Sequence, residues 1–255
     1  ISLFYRKGNQ LILTGEGETL YEKANYILQY CTELQSDCFG LSRNKPPIRI
    51  GIPPMLSTVF FPELLTAFQK EYPDVPVMLE EYASVRACNL VQNDSLDLAL
   101  VNMEQYNIDK FHHALLANDQ VVFCVSKEHP LVRKEEATIQ DMAQIPLIFF
   151  NGDSVQNQLL KIRFELEGFT PHVLMHNSQI YTTLQFLKNN NCGCFLYSSM
   201  TDKFSSSNIT GIPLNPPVRI KIGMVWKKSK YISGDMLTFL HFTRMYYKEH
   251  PLIEK

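Results

Sequence analysis

Few residues in this chain stand at spacings that could make or break bonds. His172 and His176 lie four apart, but on a stretch that reads as a strand, with no carboxylate or thiol to complete a metal set. His112-His113 reads as a surface pair. Glu80-Glu81 and Glu135-Glu136 are adjacent in sequence, so their side chains diverge and cannot serve one substrate as acid and base. Cys192-Gly193-Cys194 places one residue between its thiols, where a redox or zinc knuckle needs two. No GxxxxGK[ST], GxSxG or HExxH motif occurs, and Gly15-Glu16-Gly17 opens a helix without a nucleotide-binding strand before it. No catalytic residue, no metal and no cofactor is therefore expected. What remains is recognition chemistry. Arg6 and Lys7 flank Gly8-Asn9 in a tight turn, where two cations could meet phosphates or simply be solvated.

Charge and composition narrow the partners. Lys and Arg total 24 against 26 Asp and Glu, a net of −2, so any DNA contact must be local and not the work of a global basic field. Apolar residues make up 45% and charged residues 20%, which is enough for a real core and unlike a disordered chain. At about 150 residues per domain, a chain of 255 residues allows two lobes. The cysteines at 31, 38, 88, 124, 192 and 194 show no regular disulfide framework, which fits a reducing compartment. The apolar run from Ile145 to Phe150 is far short of a bilayer span, and Ile1 begins no leader-type stretch. The expectation is a soluble, cytoplasmic chain with no membrane partner.

The elements that must position these residues fall into an arm and a body. Leu3 to Arg6 and Gln10 to Leu13 read as two short strands of a hairpin. Thr14 then caps a long helix whose first turn carries Glu16 and Glu18, placed to oppose the positive end of its dipole. Leu20, Ala24, Ile27, Cys31, Leu34, Cys38 and Leu41 follow an unbroken 4-3 spacing, which favours a seam between two copies over a face packed within one chain. Ser42-Arg43-Asn44-Lys45-Pro46-Pro47 ends the arm as a polar stop and stiff linker.

Strands and helices then alternate. Strands are predicted at 48–52, 75–82 and 96–102, with helices at 61–72 and 84–93, the second opened by Ser84 as cap. The order recurs with strands at 121–126, 146–150, 172–176 and 195–197 and helices at 155–167 and 179–189. A last strand spans 219–226, and Ser233 starts a final helix with Met236, Phe239, Leu240, Thr243 and Tyr247 along one side. Such alternation calls for a mainly parallel sheet covered by helices on both faces, with ligands bound beyond the carboxyl ends of its strands. The proline-rich stretch from Ser205 to Pro217 is long enough to recross between two lobes and leave a cleft that can hinge.

In this order the residues resemble the LysR-type transcriptional regulators, over essentially the whole chain. Leu3-Phe4-x-Arg6 and Leu11-x-Leu13-Thr14-x-x-Gly17-Glu18-x-Leu20 resemble that family's wing and the entry to its linker helix. Ile48-Arg49-Ile50-Gly51, Pro62, Tyr72-Pro73-Asp74-Val75, Leu96-Asp97-Leu98-Ala99, His129-Pro130-Leu131 and Pro146-Leu147-Ile148 follow in the family's order. The resemblance implies an α/β, two-lobed, periplasmic-binding-protein-like (type 2) effector domain behind a wing remnant and a long linker helix. Residues 1–13 would be the remnant of a winged helix-turn-helix, 14–45 the dimerisation helix and 46–255 the effector-binding domain. Within it, lobe I would take 46–120 and 218–255, and lobe II 121–217. The implied partners are double-stranded DNA, met through the full-length protein, a small-molecule effector and a second copy of the chain, with a tetramer left open. Arg6 and Lys7 would contact the DNA backbone. The recognition helix of the family lies upstream of the wing, so these residues alone are not expected to read a major groove.

The resemblance also directs attention to the cleft. Family members often place a small hydroxyl residue after the first strand, whereas this chain has Pro54, Met55 and Leu56, with Ser57 and Thr58 as the nearest hydroxyls. Ser84 matches a hydroxyl position at the mouth of the second helix, and the third strand ends in Asn102, a neutral amide where a cation would have favoured a carboxylate ligand. From the second lobe, Phe149, Phe150, Asn151, Asn177 and Ser178 fall at strand ends facing the same opening. A pocket of mixed apolar and amide character is expected. A transporter's solute-binding protein and an enzyme on the same scaffold are the competing readings. The basic hairpin with its heptads argues against the first, and the lack of a nucleophile or acid–base pair argues against the second.

Overall fold

The computed structural model of the chain describes residues 1–8, 10–40, 45–104, 107–151, 154–189, 191–201, 203–204 and 208–251, without the side chains of 29, 32–33 and 35–40. The arm is a hairpin of β1 (Phe4–Lys7) and β2 (Gln10–Leu13), followed by α1 (Gly15–Gly40). Arg6 pairs with Leu11 and Lys7 with Gln10, so both cations belong to the strand and not to the turn, where Gly8 takes a φ of 65°. Thr14 caps α1 as expected: its Oγ1 accepts from the Gly17 N–H at 3.0 Å and donates to the Ser2 carbonyl at 2.7 Å. Hairpin and helix meet at Gly17, where a Cβ would lie 2.1 Å from the Leu3 carbonyl oxygen. Only glycine allows that approach.

The body begins with β3 (Ile48–Ile52), α2 (Pro54–Val59), α3 (Phe61–Glu71), β4 (Val77–Glu81), α4 (Ser84–Gln92) and β5 (Leu98–Asn102). The long β6 (Phe111–Ser126) leads to α5 (Ile139–Met142), β7 (Leu147–Phe149), α6 (Val155–Leu166), β8 (Val173–His176), α7 (Ile180–Asn189), β9 (Gly193–Tyr197) and α8 (Ser198–Thr201). The equally long β10 (Ile209–Lys227) returns, and α9 (Gly234–Glu249) closes the chain. The fold is α/β. Its strands form one eight-stranded sheet in the order β4-β3-β5-β10-β6-β9-β7-β8. Parallel pairs flank β3 on one side and β7 on the other, and the antiparallel β6–β10 ribbon joins the two sets.

That ribbon corrects the expectation at two places. The strand foreseen at 121–126 starts ten residues earlier, at Phe111, and the stretch read as a proline-rich crossing is a strand from Ile209 onward. Prolines hid it, because Pro cannot donate to a ladder. Here the register breaks between Pro213 and Val218, so Pro216 and Pro217 sit where no ladder bond is required. The short α2 was also unforeseen, since Pro53-Pro54 reads as a stop although Pro suits the first turn of a helix.

Helices cover the sheet through apolar faces that the 3.6-residue period had marked. In α9, Met236, Phe239, Leu240, Thr243 and Tyr247 are buried, and Phe239 meets Phe68 of α3 edge-on at 4.9 Å between ring centroids. The Tyr247 hydroxyl donates to the Phe60 carbonyl, tying α9 to the start of α3. In α1 the corresponding stripe has no cover in one chain. Leu20 is 49% exposed, Ile27 65% and Leu34 68%, and Ala24 and Cys31 are exposed beside them. The side chain of Cys38 and all of Leu41 lie outside the described residues. Contact between α1 and the body includes an edge-on pair of Tyr30 and Tyr231 rings, 5.6 Å apart.

Candidate functional site

The carboxyl ends of the parallel strands open on a shared cavity of about 380 Å³. From one side, Pro53, Pro54 and Met55 come from the turn after β3, Glu81 to Ser84 from the turn after β4, Arg86 from the first turn of α4 and Asn102 from the end of β5. From the other, Phe150 and Asn151 follow β7, Ser154 and Val155 open α6, Ser178 precedes α7 and Tyr197 ends β9. A cleft placed where strands end and helices begin is the position at which open α/β sheets hold ligands.

Hydrogen bonds fix the walls. The Asn102 N–H donates to Ser84 Oγ at 3.1 Å, and Asn102 Oδ1 accepts from the Glu104 N–H at 3.1 Å. The amide nitrogen of Asn102, in a residue only 1% exposed, has no partner among the described residues. It lies beside the Tyr197 hydroxyl without the geometry of a bond. Burial pushes that hydroxyl well above the ordinary tyrosine range, with the Asn102 amide pulling the other way. Opposite, Asn157 Nδ2 donates to the Phe150 carbonyl at 2.5 Å and Gln156 Nε2 to the Phe195 carbonyl at 2.8 Å, which locks α6 against the ends of β7 and β9. The Arg86 guanidinium stands 5.1 Å from the centre of the Tyr82 ring. Glu81 is held at the α2 side by a hydrogen bond from Ser57.

On β6, opposite Ile220 of β10, Asp119 is 6% exposed. It accepts from the Ser199 hydroxyl at 2.6 Å and the Gln120 N–H at 2.7 Å. Burial raises its carboxyl above the usual range and these donors oppose the rise.

Of the residues expected at the cleft, Met55, Ser84, Asn102, Phe150, Asn151 and Ser178 line this cavity. The others do not. Leu56 is fully buried in the core, because α2 turns it inward. Ser57 shares its one hydroxyl proton between Glu81 and the Pro54 carbonyl, and Thr58 donates to the same carbonyl at 2.9 Å. Phe149 alternates inward and packs on Phe195 at 5.5 Å. Asn177 holds the start of α7, accepting from the Gln179 N–H at 3.0 Å and donating to the Gln179 carbonyl at 2.9 Å. Ser84 itself is not a cap: Ala83 holds that position, and the hydroxyl serves Asn102 instead. Sequence reading missed Glu81, Tyr82, Ala83, Arg86, Ser154, Val155 and Tyr197. Applying the strand-end rule to β4 and β9, as it was applied to β5, would have found most of them.

Among the described residues no group of three His, Cys, Asp or Glu is placed to hold a metal ion, and no helix is long and apolar enough to cross a membrane. His176 is exposed near Phe149 and Cys31 is exposed on α1, while Cys88, Cys124, Cys192 and Cys194 are buried. Burial pushes the Cys88 thiol up to about 12, which makes it a packing residue.

Comparison with known proteins agrees with this geometry. A family model described as "LysR substrate binding domain" matches residues 42–247. The chain is 29% identical over 249 residues to the "Uncharacterized HTH-type transcriptional regulator YwbI" of Bacillus subtilis (strain 168), covering 96% of this chain and 82% of that protein. Among solved structures, the effector binding domain of QuiR in complex with shikimate is 21% identical with a TM-score of 0.67, over 80% of this chain and 98% of that one. A point mutant of full-length BenM is 16% identical with a TM-score of 0.70, and its match takes in all of this chain, arm included, and 85% of its own.

Proposed function

The chain belongs to the LysR substrate-binding-domain family, and on that premise we propose that its interlobe cavity is where the effector binds and that the paired arms carry the effect to DNA. The chain is the effector-sensing portion of a LysR-type transcriptional regulator, a class that binds DNA, takes small molecules and assembles as oligomers. The observation that carries the reading is one cavity walled from both sides of the β6–β10 ribbon. Met55, Ser84 and Asn102 come from one side and Phe150, Asn151 and Ser178 from the other, so a molecule held between them touches both lobes at once.

Lobe I is taken as 46–120 and 218–255 and lobe II as 121–217. These bounds are supported by the register break between Pro213 and Val218, which faces Val121 and Val122. An effector that binds better when the lobes close shifts their relative angle. The arm, with α1 as the dimer handle, passes that change to two DNA-reading heads, and the exposed Arg6 and Lys7 of the hairpin touch the DNA backbone. The protein acts by binding and not by catalysis, and it works in the cytoplasm. A transporter's solute-binding protein is not favoured, since the relatives are transcriptional regulators and the chain matches them through its arm as well as its body.

The test is reciprocity. In the full-length protein, with its DNA-reading head, effector affinity measured with and without operator DNA should differ about 5-fold or more, and operator affinity should change by the same factor when effector is added. Equal effector affinity in both conditions removes the coupling.

A further inference from the structure

We propose that α8 and Lys203 beyond it form a clasp between the lobes: Asp119 pins the clasp at the pivot and Lys203 grips the junction of α2 and α3, so that the chain's own contacts favour one interlobe angle over others. This rests on reading the β6–β10 ribbon as the hinge between two lobes. α8 follows β9 directly and is seated in lobe II. Met200 is fully buried, and a Cβ on Gly211 of β10 would lie 2.6 Å from Thr201 Cγ2, so the helix is packed tightly on that strand. Phe204 packs against the core beyond it.

From this seat two side-chain contacts reach lobe I, and they differ in kind. The Ser199 hydroxyl donates to Asp119 at 2.6 Å. Asp119 stands on β6 just before Val121, where that strand passes from one lobe to the other, so rotation about the ribbon moves this contact little. Lys203 reaches away from the ribbon: its Nζ donates to the Val59 carbonyl at 3.2 Å and to Glu63 Oε1 at 3.0 Å. Val59 is the last residue of α2, where carbonyls lack helical partners, and Glu63 lies in the first turn of α3. A cation there faces the negative end of one helix and a carboxylate together. The rotation that spares Asp119 pulls Lys203 away from this junction.

Strength and place both suit a switch. The Lys203 side chain is 42% exposed and that of Glu63 70%, so the pair is of the weak surface kind and shifts an equilibrium by about 5-fold at most. A ligand that prefers the released state by more than this factor overcomes the clasp. The clasp also joins two elements that wall the cavity. Tyr197, immediately before α8, lines it, and Lys203 holds the far end of a helix whose start, at Pro54 and Met55, lines it too.

The test uses the 255-residue chain with Cys31 and Cys38 replaced by serine and one spin label in each lobe, at Lys70→Cys of α3 and Lys161→Cys of α6, both exposed positions. Labelled chain is diluted into unlabelled chain so that only the two labels of one copy are read, and their distance distribution is measured by pulsed electron resonance. Lys203→Glu should raise the share of a second distance by about 5-fold over the parent. Glu63→Lys should do the same, and the two combined should return the parent's distribution. Both side chains are largely in solvent, so neither substitution endangers folding. Rescue by the charge swap is a result that a mere packing role for Lys203 would not give. Identical distributions in the parent and Lys203→Glu, or a swap that fails to restore the parent's, overturn the clasp. Asn151→Trp, a wedge in the cavity wall at an exposed position, separates this from the underlying reading. If the wedge shifts the distances and Lys203→Glu does not, the lobes hinge but are not clasped here. If neither shifts them, the two halves do not hinge, and the proposed mode of action fails along with the clasp.

Discussion

Ser84 and Asn102 are joined by one hydrogen bond, from the main-chain N–H of Asn102 to the Ser84 hydroxyl oxygen at 3.1 Å, with both residues at most 5% exposed. The first residue of α4 is thereby fixed to the last residue of β5. A serine that looks like a cap thus acts as a strut.

Ser84→Ala is expected to leave the Asn102 N–H buried without an acceptor, which costs about 1–3 kcal/mol. The denaturant midpoint of the chain should fall accordingly, with an unchanged slope. An unchanged midpoint would show that the wall does not depend on this bond.

Asp97, just before β5, ties β3 to the segment that follows β10. It accepts from the Arg49 N–H at 2.7 Å, from the Arg49 side chain at 2.9 Å and from Lys230 Nζ at 2.7 Å. Burial by itself would raise the carboxyl, but these bonds outweigh it and hold the group below the usual carboxylate range. A folded value below the unfolded one, about 3.9, means stabilisation present above that pH and lost as pH falls through the folded value. Asp97→Asn should therefore cost about 1–3 kcal/mol at neutral pH and flatten the acid side of the stability profile. Parallel profiles for the two proteins, measured by denaturant titration across pH, would refute the assignment.

The seam of α1 is tested by Leu20→Asp combined with Leu34→Asp. Leu20 is 49% exposed and Leu34 68% exposed in one chain, so the monomer should fold unharmed. If they face a second copy, two unpaired carboxylates enter the interface, and the dimer should weaken by about a hundredfold or more. Sedimentation should then report the mass of one chain. An unchanged mass would move the interface to another surface.

The sequence carried the α/β alternation, the cap at Thr14 and the buried face of α9, because each is written in local patterning. It failed along the β6–β10 ribbon, where prolines and mixed polarity mask two strands whose pairing is wholly long-range. At the cleft, the ends of β3, β5 and β7 were located correctly, but neighbouring side chains were not sorted into wall and core. Leu56 and Met55 are adjacent, yet one is in the core and the other in the cavity wall.

What the amino-acid order determined unaided was the set of elements and the kind of surface each must hide, since period and capping depend only on neighbours along the chain. Tertiary structure alone decided that Arg86 would face Phe150 across one cavity and that Asn102 would keep a donor in reserve there. Those facts depend on which distant strands pair and in what register, and pairing energies of that kind are not encoded in any local window.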